Sequence, residues 1–357
     1  MDRNVLVKLI YLILSTMIGA GILGLPYMLY SVGFVPSIFL YFLSMFVVYI
    51  VSIILVKASL KYYKTILFDI FERYLGKTFR NISFILFSFS ILFISIAYLN
   101  VINSSIKFFE KNSEIYALLI VAVAMSIAFI GFNFVEKSEK VLFTIKLIVI
   151  FVFLSFIIFV PKKYEVELIK FDLKNYFKFL LVSIFAFSFY SIVPSLLYVT
   201  KDDKTLKNAI LFSIVIAFFI YLSFSYLTAS RSGELEISML GFNEVFNILA
   251  IFLVITPYLI LSWILSENIS EFFRQEKRVS VLISFGLPFI LFIVLPKSFL
   301  LYIEITSAFF ILSIYFLIGL LGYRFSNELS INKNLPLFLM VISTILIFFE
   351  IINLVLL

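Results

Sequence analysis

No cysteine, no histidine and a single tryptophan occur among the 357 residues. Without cysteine there are no disulfides and no thiolate chemistry. Without histidine there is no imidazole metal site and no histidine proton relay. Charge is scarce as well, with Asp, Glu, Lys and Arg supplying 14% of the residues. A soluble domain of this size cannot cover its core with so little charge. What the chain does have is apolar length: 63% hydrophobic residues and a mean hydropathy of +1.17. It reads as an all-α polytopic membrane protein embedded in the lipid bilayer, one transmembrane domain over 1–357 with no second domain. The first apolar run outlasts a signal h-region and lacks a cleavage pattern, so it is expected to be a retained helix. The net charge of +7 sits in loops and speaks to topology, not to nucleic acid.

A spanning helix needs roughly 20 apolar residues. Eleven candidate spans follow: 5–31, 34–56, 82–108, 115–134, 141–160, 177–199, 208–229, 245–268, 280–296, 299–322 and 335–356. The span 280–296 is the weakest, short and expected to be broken by Gly286 and Pro288. With the N-terminus inside, eighteen Lys and Arg fall in inside loops and nine in outside loops. That bias predicts a cytoplasmic N-terminus in a multi-pass plasma-membrane protein. Residues 61–81 form the longest inside connection. Leu67, Ile70, Phe71, Tyr74 and Leu75 lie on one face of a helix there, with Thr65 as N-cap and Gly76 as stop. That helix either lies on the headgroups or docks under the bundle. Outside loops include 161–176 and 230–244.

The first span holds T-M-I-G-A-G-I-L-G-L-P-Y over 16–27, with Gly19, Gly21, Gly24 and Pro26 at mid-membrane depth. Glycine and proline are poor helix formers. Irregular backbone there must be buried in protein or line a cavity. The sixth span holds F-A-F-S-F-Y-S-I-V-P-S over 185–195, where Ser188, Ser191, Pro194 and Ser195 interrupt an apolar run. Taken alone, the first cluster also fits a small-residue packing face. Interruptions that open each half of an inverted five-plus-five arrangement point instead to a transporter binding site. Half-helix N-termini offer N–H groups to a carboxylate, and half-helix C-termini offer carbonyls to an ammonium group or a cation.

At these residues the chain resembles the amino acid–polyamine–organocation superfamily, and more closely the amino acid/auxin permease and aromatic amino acid permease families. The resemblance rests on M-I-G-A-G-I-L-G-L-P-Y (17–27) with Gly33, T-I-L-F-D-I-F-E-R-Y-L-G-K (65–77), and F-S-F-Y-S-I-V-P-S-L (187–196) with D-D-K-T-L-K-N-A-I (202–210). Looser matches are T-P-Y-L-I-L-S-W-I-L-S-E-N-I (256–269) and G-L-P-F-I-L-F-I-V-L-P-K-S-F-L (286–300). Tyr190 stands where those families often carry histidine. The resemblance implies a leucine-transporter-like five-plus-five inverted repeat: a first repeat over 5–160, a second over 177–322, and an extra helix over 335–356. It implies secondary amino acid transport by alternating access. The substrate carboxylate would meet the N–H groups of Ala20, Gly21 and Ile22 beside Gly19. The ammonium would meet carbonyls of Met17, Ile18, Phe185, Ala186, Phe187 and Ser188. The substrate side chain would lie among spans 3, 6, 8 and 10.

Charges inside spans are functional candidates by default. Lys146, in the fifth span, reads either as a snorkelling interfacial lysine or, by the resemblance, as an ammonium in the place of a cation between spans one, five and eight. Desolvation disfavours the charged form of a lysine, which suits the second role, proton coupling. Glu304 reads as an interfacial acid or a gate, and Glu350 as an interface or bundle-facing group outside transport. Tyr98, Asn100 and Asn103 make the third span polar, and Trp263, Thr256 and Ser262 are weaker candidates in the eighth. No paired carboxylates sit within a span, so no enzyme is expected, and no cofactor or resident metal either. The expected function is proton-coupled symport of a neutral, apolar or aromatic amino acid. Sodium-coupled symport is the alternative, and a channel or a non-transporting sensor on the same scaffold is the alternative from another class.

Overall fold

The computed structural model describes residues 3–61, 67–107, 113–130, 132–233 and 244–355, without the side chains of 132–140, 232 and 244–246. The expected cap Thr65 and most of the loop 230–244 lie outside the described residues. Among the described residues every regular element is helical. In chain order these are α1 (Arg3–Met17), α2 (Gly21–Val32), α3 (Phe34–Lys61), α4 (Leu67–Leu75), α5 (Lys77–Lys107), α6 (Ser113–Ile130), α7 (Phe132–Ile157) and α8 (Leu173–Phe187). There follow α9 (Val193–Leu196), α10 (Asp203–Ser232), α11 (Glu244–Phe273), α12 (Lys277–Val294), α13 (Phe299–Ile305), α14 (Leu312–Arg324) and α15 (Asn334–Val355). Nine described helical runs are long and apolar enough to cross a membrane, and α1 with α2 makes a tenth. The remaining expected span is α7, whose described apolar part, Val141–Ile157, is shorter. The chain is thus an all-α polytopic membrane protein.

Two expectations change in detail. The span at 280–296 is not broken: α12 runs through Gly286 and Pro288. The tenth span is not uniform, because α13 passes into α14 through a π-helical turn, Thr306–Ile311. Widened turns of this kind shift the register of one face against the other, and they occur often at functional sites.

The centre of the bundle is built from the two spans that carry the sequence interruptions. Every residue of α8 from Phe179 to Phe187 is buried, and α2 is buried except at Tyr27, Tyr30 and Ser31. α2 packs on α8 and α10, α1 packs on α10, and α11 packs on α5, α7 and α12. Hydroxyls stitch this centre together. Tyr41 and Ser225 meet at 2.9 Å, linking α3 to α10, and Ser44 meets Ser183 at 2.5 Å, linking α3 to α8.

The short helix α4 docks against the bundle. Leu67, Phe68, Ile70, Phe71 and Tyr74 are its buried face. The Phe68 ring meets those of Phe84 and Phe87, and the Tyr74 ring meets Phe325 at 4.9 Å. Gly76 stops the helix at φ +98°, a conformation that favours glycine. At the other end of the bundle, the segment 167–170 pairs with the α2–α3 corner. Phe34 N–H donates to the Glu167 carbonyl at 2.9 Å, and Lys170 N–H donates to that of Val32 at 3.1 Å. Gly33, at φ +87°, lets the loop backbone come that close.

Candidate functional site

The first interruption is a true bend. Residues 18–20 leave the helix, and α1 and α2 meet at 67°. Ile18 N–H still closes α1 on the Leu14 carbonyl at 2.9 Å, and Gly19 N–H turns back to Met17 at 2.9 Å. Leu23 N–H takes up the Ala20 carbonyl at 2.8 Å, whereas Ile22 N–H reaches Gly19 only at 3.4 Å. Among the described residues the N–H groups of Ala20 and Gly21 meet no acceptor. α2 therefore opens on two free donors at the positive end of its dipole.

The second interruption lies five to six residues before Pro194, not at it. α8 stops at Phe187, and Ser188 and Phe189 are non-helical, with ψ of 127° and 18°. One 3-10 turn, Tyr190–Ile192, leads into α9. Pro194 sits in the first turn of α9, where a missing N–H costs nothing. It starts the second half-helix and does not break the first. The Phe187 carbonyl accepts no hydrogen bond among the described residues.

The two interruptions touch through backbone. A Cβ built on Gly21 would lie 2.6 Å from the Ala186 Cα and 2.8 Å from its Cβ. Only glycine permits that approach. The fully buried Tyr221, from α10, ties the pair together: its hydroxyl shares its one proton between the Met17 carbonyl at 2.7 Å and the Ala186 carbonyl at 2.8 Å. No local sequence signal marks Tyr221, one of 20 tyrosines. Tyr221→Phe leaves Ala186 without this donor. We expect it to lower stability by about 1–3 kcal/mol and to slow substrate uptake, as read by thermal melting and by flux in proteoliposomes. Unchanged values for both would refute the bridging role.

Lys146 is buried, not snorkelling, at 0% exposure. Its Nζ donates to the Ile18 carbonyl and, at 3.4 Å, to that of Ser15. It also lies 5.1 Å from the centre of the Phe143 ring. The α7 ammonium thus reaches the bend between α1 and α2. Of the carbonyls proposed to meet a substrate ammonium, Ile18 already accepts from Lys146, and Met17 and Ala186 from Tyr221. The Phe185 carbonyl accepts Ser188 N–H at 3.1 Å.

A cavity of about 70 Å³ opens beside both interruptions, room for several waters at roughly 10–15 Å³ each. Met17, Gly19 and Gly21 form one side, and Phe185, Ala186 and Ser188 the other. α5 contributes Phe87, Ser90, Ile94 and Tyr98; α11 contributes Pro257, Ile260 and Ile264; the π turn contributes Ile311. Ile18, Ala20, Ile22 and Phe187 do not line it. The Tyr98 hydroxyl lies 3.6 Å from the position of a Cβ on Gly19 and has no partner among the described residues. Ser188 Oγ and the Tyr315 hydroxyl share a hydrogen bond of 2.8 Å, and the Tyr190 ring stands edge-on to Tyr315 at 5.7 Å. The walls are apolar with a few hydroxyls, a lining suited to a flat apolar body with a polar tip.

The other polar candidates lie elsewhere. Asn103 accepts from Ser113 Oγ at 2.7 Å, joining α5 to α6, and Asn100 donates to the Ile96 carbonyl of its own helix at 3.0 Å. Trp263 does not line the cavity and has Lys277 Nζ 5.6 Å from its ring centre. Thr256 bonds back to Phe252 at 3.2 Å, and Ser262 is buried without a partner for its hydroxyl. Glu304 is buried and paired with Lys178 at 2.8 Å, which excludes a free interfacial acid. Pro257, Ser90, Tyr190 and Tyr315 belong to the site without having been singled out as its residues. Two of them carry a legible signal: Pro257 as a proline in the middle of the eighth span, and Tyr190 as a departure from the resembled families.

The tryptophan/tyrosine permease family model matches residues 2–240, a stretch that includes both interruptions, Tyr98, Lys146 and Tyr221. No curated protein matches the chain.

Proposed function

The chain belongs to the tryptophan/tyrosine permease family and is an amino acid permease, not an enzyme, and on that premise we propose that it carries a neutral aromatic or apolar amino acid by proton-coupled symport. The proposal includes a leucine-transporter-like five-plus-five inverted repeat within the amino acid–polyamine–organocation superfamily, working by alternating access. It also includes a plasma-membrane location with a cytoplasmic N-terminus, from the bias of basic loop residues.

One observation carries the reading. Open N–H donors at the start of α2 stand beside the end of α8, where a carbonyl is unfilled; Gly21 and Ser188 line a cavity with apolar walls there, and Ala20 and Phe187 are their chain neighbours just behind its wall. A zwitterion matches that polarity. Its carboxylate would take the N–H groups of Ala20 and Gly21. Its ammonium would take the Phe187 carbonyl, with Ser188 beside it. Its ring would lie against Phe87, Ile94 and Pro257, with the Tyr98 hydroxyl free to meet a phenol or an indole N–H. Protonated Lys146 holds the α1–α2 bend through the Ile18 carbonyl, and losing the proton would release it.

Purified protein in liposomes tests the reading. Expected is saturable accumulation of tryptophan or tyrosine driven by an inside-alkaline pH gradient, without sodium. Uptake that requires sodium and ignores the proton gradient would overturn the coupling. Conductance without saturation would indicate a pore, and binding without flux a sensor.

A further inference from the structure

A second group of charges, two buried carboxyls and a half-buried lysine, lies away from the cavity, at the end of the bundle that the basic-residue bias places outside. Lys178 of α8 holds both Glu304 oxygens, at 2.8 and 3.1 Å. Glu304 sits at the end of α13, just before the π turn, and is 5% exposed. Glu350 of α15 is 2% exposed, and its Oε2 meets no hydrogen-bond partner among the described residues. The Phe177 and Phe349 rings stack at 3.9 Å and fix these ends of α8 and α15 against each other. The charged groups that act on Glu350 from neighbouring elements are Glu304, Lys178 and Lys174, with Asn353 one turn along its own helix. Lys174 is exposed and its charge is solvated.

The charges do not balance. Lys178 and Glu304 neutralise each other, and an ionised Glu350 would then be a buried carboxylate beside another carboxylate. Such a group is costly without its own partner, and binding a proton removes the cost. Two carboxyls sharing a site with one ammonium keep one proton between them.

We infer that Lys178, Glu304 and Glu350 form an outer proton-binding site in which Glu350 holds the proton while Lys178 is paired with Glu304. When that pair separates, Lys178 is free to pair with Glu350, whose proton passes to Glu304 or to water; the reverse step reloads it. Position couples this exchange to the cavity. Lys178 lies two turns before Phe185 on α8, and α13, which carries Glu304 at its end, continues through the π turn to Ile311 in the cavity wall. The coupling rests on the transport reading above; the protonation does not.

Infrared difference spectra of the full-length protein in lipid nanodiscs at neutral pH test the proton directly. The carbonyl band of a protonated carboxylic acid is expected in the wild type and lost in Glu350→Gln. It is also expected to be lost in Glu304→Gln, because Lys178 then pairs with Glu350. Persistence of the band in Glu350→Gln, or its absence from the wild type, overturns the assignment. So does loss of the wild-type band on adding sodium, which would make the site a cation site. For exchange, wild-type uptake should fall as outer pH rises, and Glu350→Gln should flatten that limb while staying within about twofold of the low-pH rate. The same pH profile in both proteins overturns the exchange. If neither protein shows flux, transport fails as a reading while the spectra still decide the proton.

Discussion

Gly21→Ala is expected to abolish substrate uptake while the protein still inserts and folds. The added methyl would sit 2.6 Å from the Ala186 Cα, 2.8 Å from its Cβ and 3.1 Å from a Phe185 ring carbon. Two of those atoms belong to an alanine, which has no flexible end to swing aside, so the backbones of the two interruptions must part. Overpacking of this kind costs about 1–3 kcal/mol, which a bundle of this size tolerates. The site does not tolerate it. Parting Gly21 from Ala186 stretches the two hydrogen bonds that Tyr221 makes across them and moves the open N–H groups away from the end of α8. Donors displaced by an ångström lose most of their catalytic or binding value.

Two other glycines calibrate the result. Gly19→Ala would bring only ordinary contacts, 3.5 Å to Pro257 and 3.6 Å to the Tyr98 hydroxyl. It should weaken substrate affinity by crowding the cavity without disconnecting the helices. Gly286→Ala meets nothing within 4 Å in the interior of α12. It should leave uptake unchanged and stabilise slightly, by up to about 1 kcal/mol. Uptake measured alongside thermal melting for the three variants separates the site from general packing. Wild-type uptake by Gly21→Ala would remove the contact between interruptions from the mechanism.

These contrasts show which parts of the site are legible in the sequence. The positions of the two interruptions are, because helix breaking is a local property of glycine, serine and proline, and so is the apolar length of the spans. The exact break in the second span is not. Pro194 looks like the breaker, yet its fixed φ suits the first turn of α9, and the chain actually turns at Ser188 and Phe189. The π turn at Thr306–Ile311 carries neither glycine nor proline, so nothing local announces it. Tyr221 is invisible for a different reason. Its value comes from meeting Ala186 and Met17, 35 and 204 residues earlier in the chain. Contacts at that separation are properties of packing. Lys146 lies between these cases. Its charge within a span is plain in the sequence, but snorkelling and burial are told apart only once α7 is placed against α1.

Lys146→Met is therefore the sharper test of coupling, and we expect it to lose gradient-driven accumulation while keeping substrate binding. Methionine keeps an unbranched side chain of similar length and removes the charge. Replacing a buried charge by a well-packed apolar side chain is often neutral or stabilising, so the variant should melt near the wild type. Function is another matter. The ammonium is the group that reaches from α7 to the Ile18 and Ser15 carbonyls at the α1–α2 bend. Without it the bend has no protonatable latch. A lost hydrogen bond to a charged group of about 1.5–3 kcal/mol corresponds to a fall in proton-driven accumulation of roughly 10- to 100-fold. Exchange of labelled for unlabelled substrate across the membrane needs no proton movement and should survive. Lys146→Ala should lose accumulation too, and it should also melt lower, because a small side chain leaves a void beside Phe143. If Lys146→Met accumulates substrate like the wild type, the lysine is a packing residue and the proton enters elsewhere. If exchange is lost together with accumulation while melting is unchanged, Lys146 shapes the substrate site itself, and the latch through Ile18 is the wrong account of it.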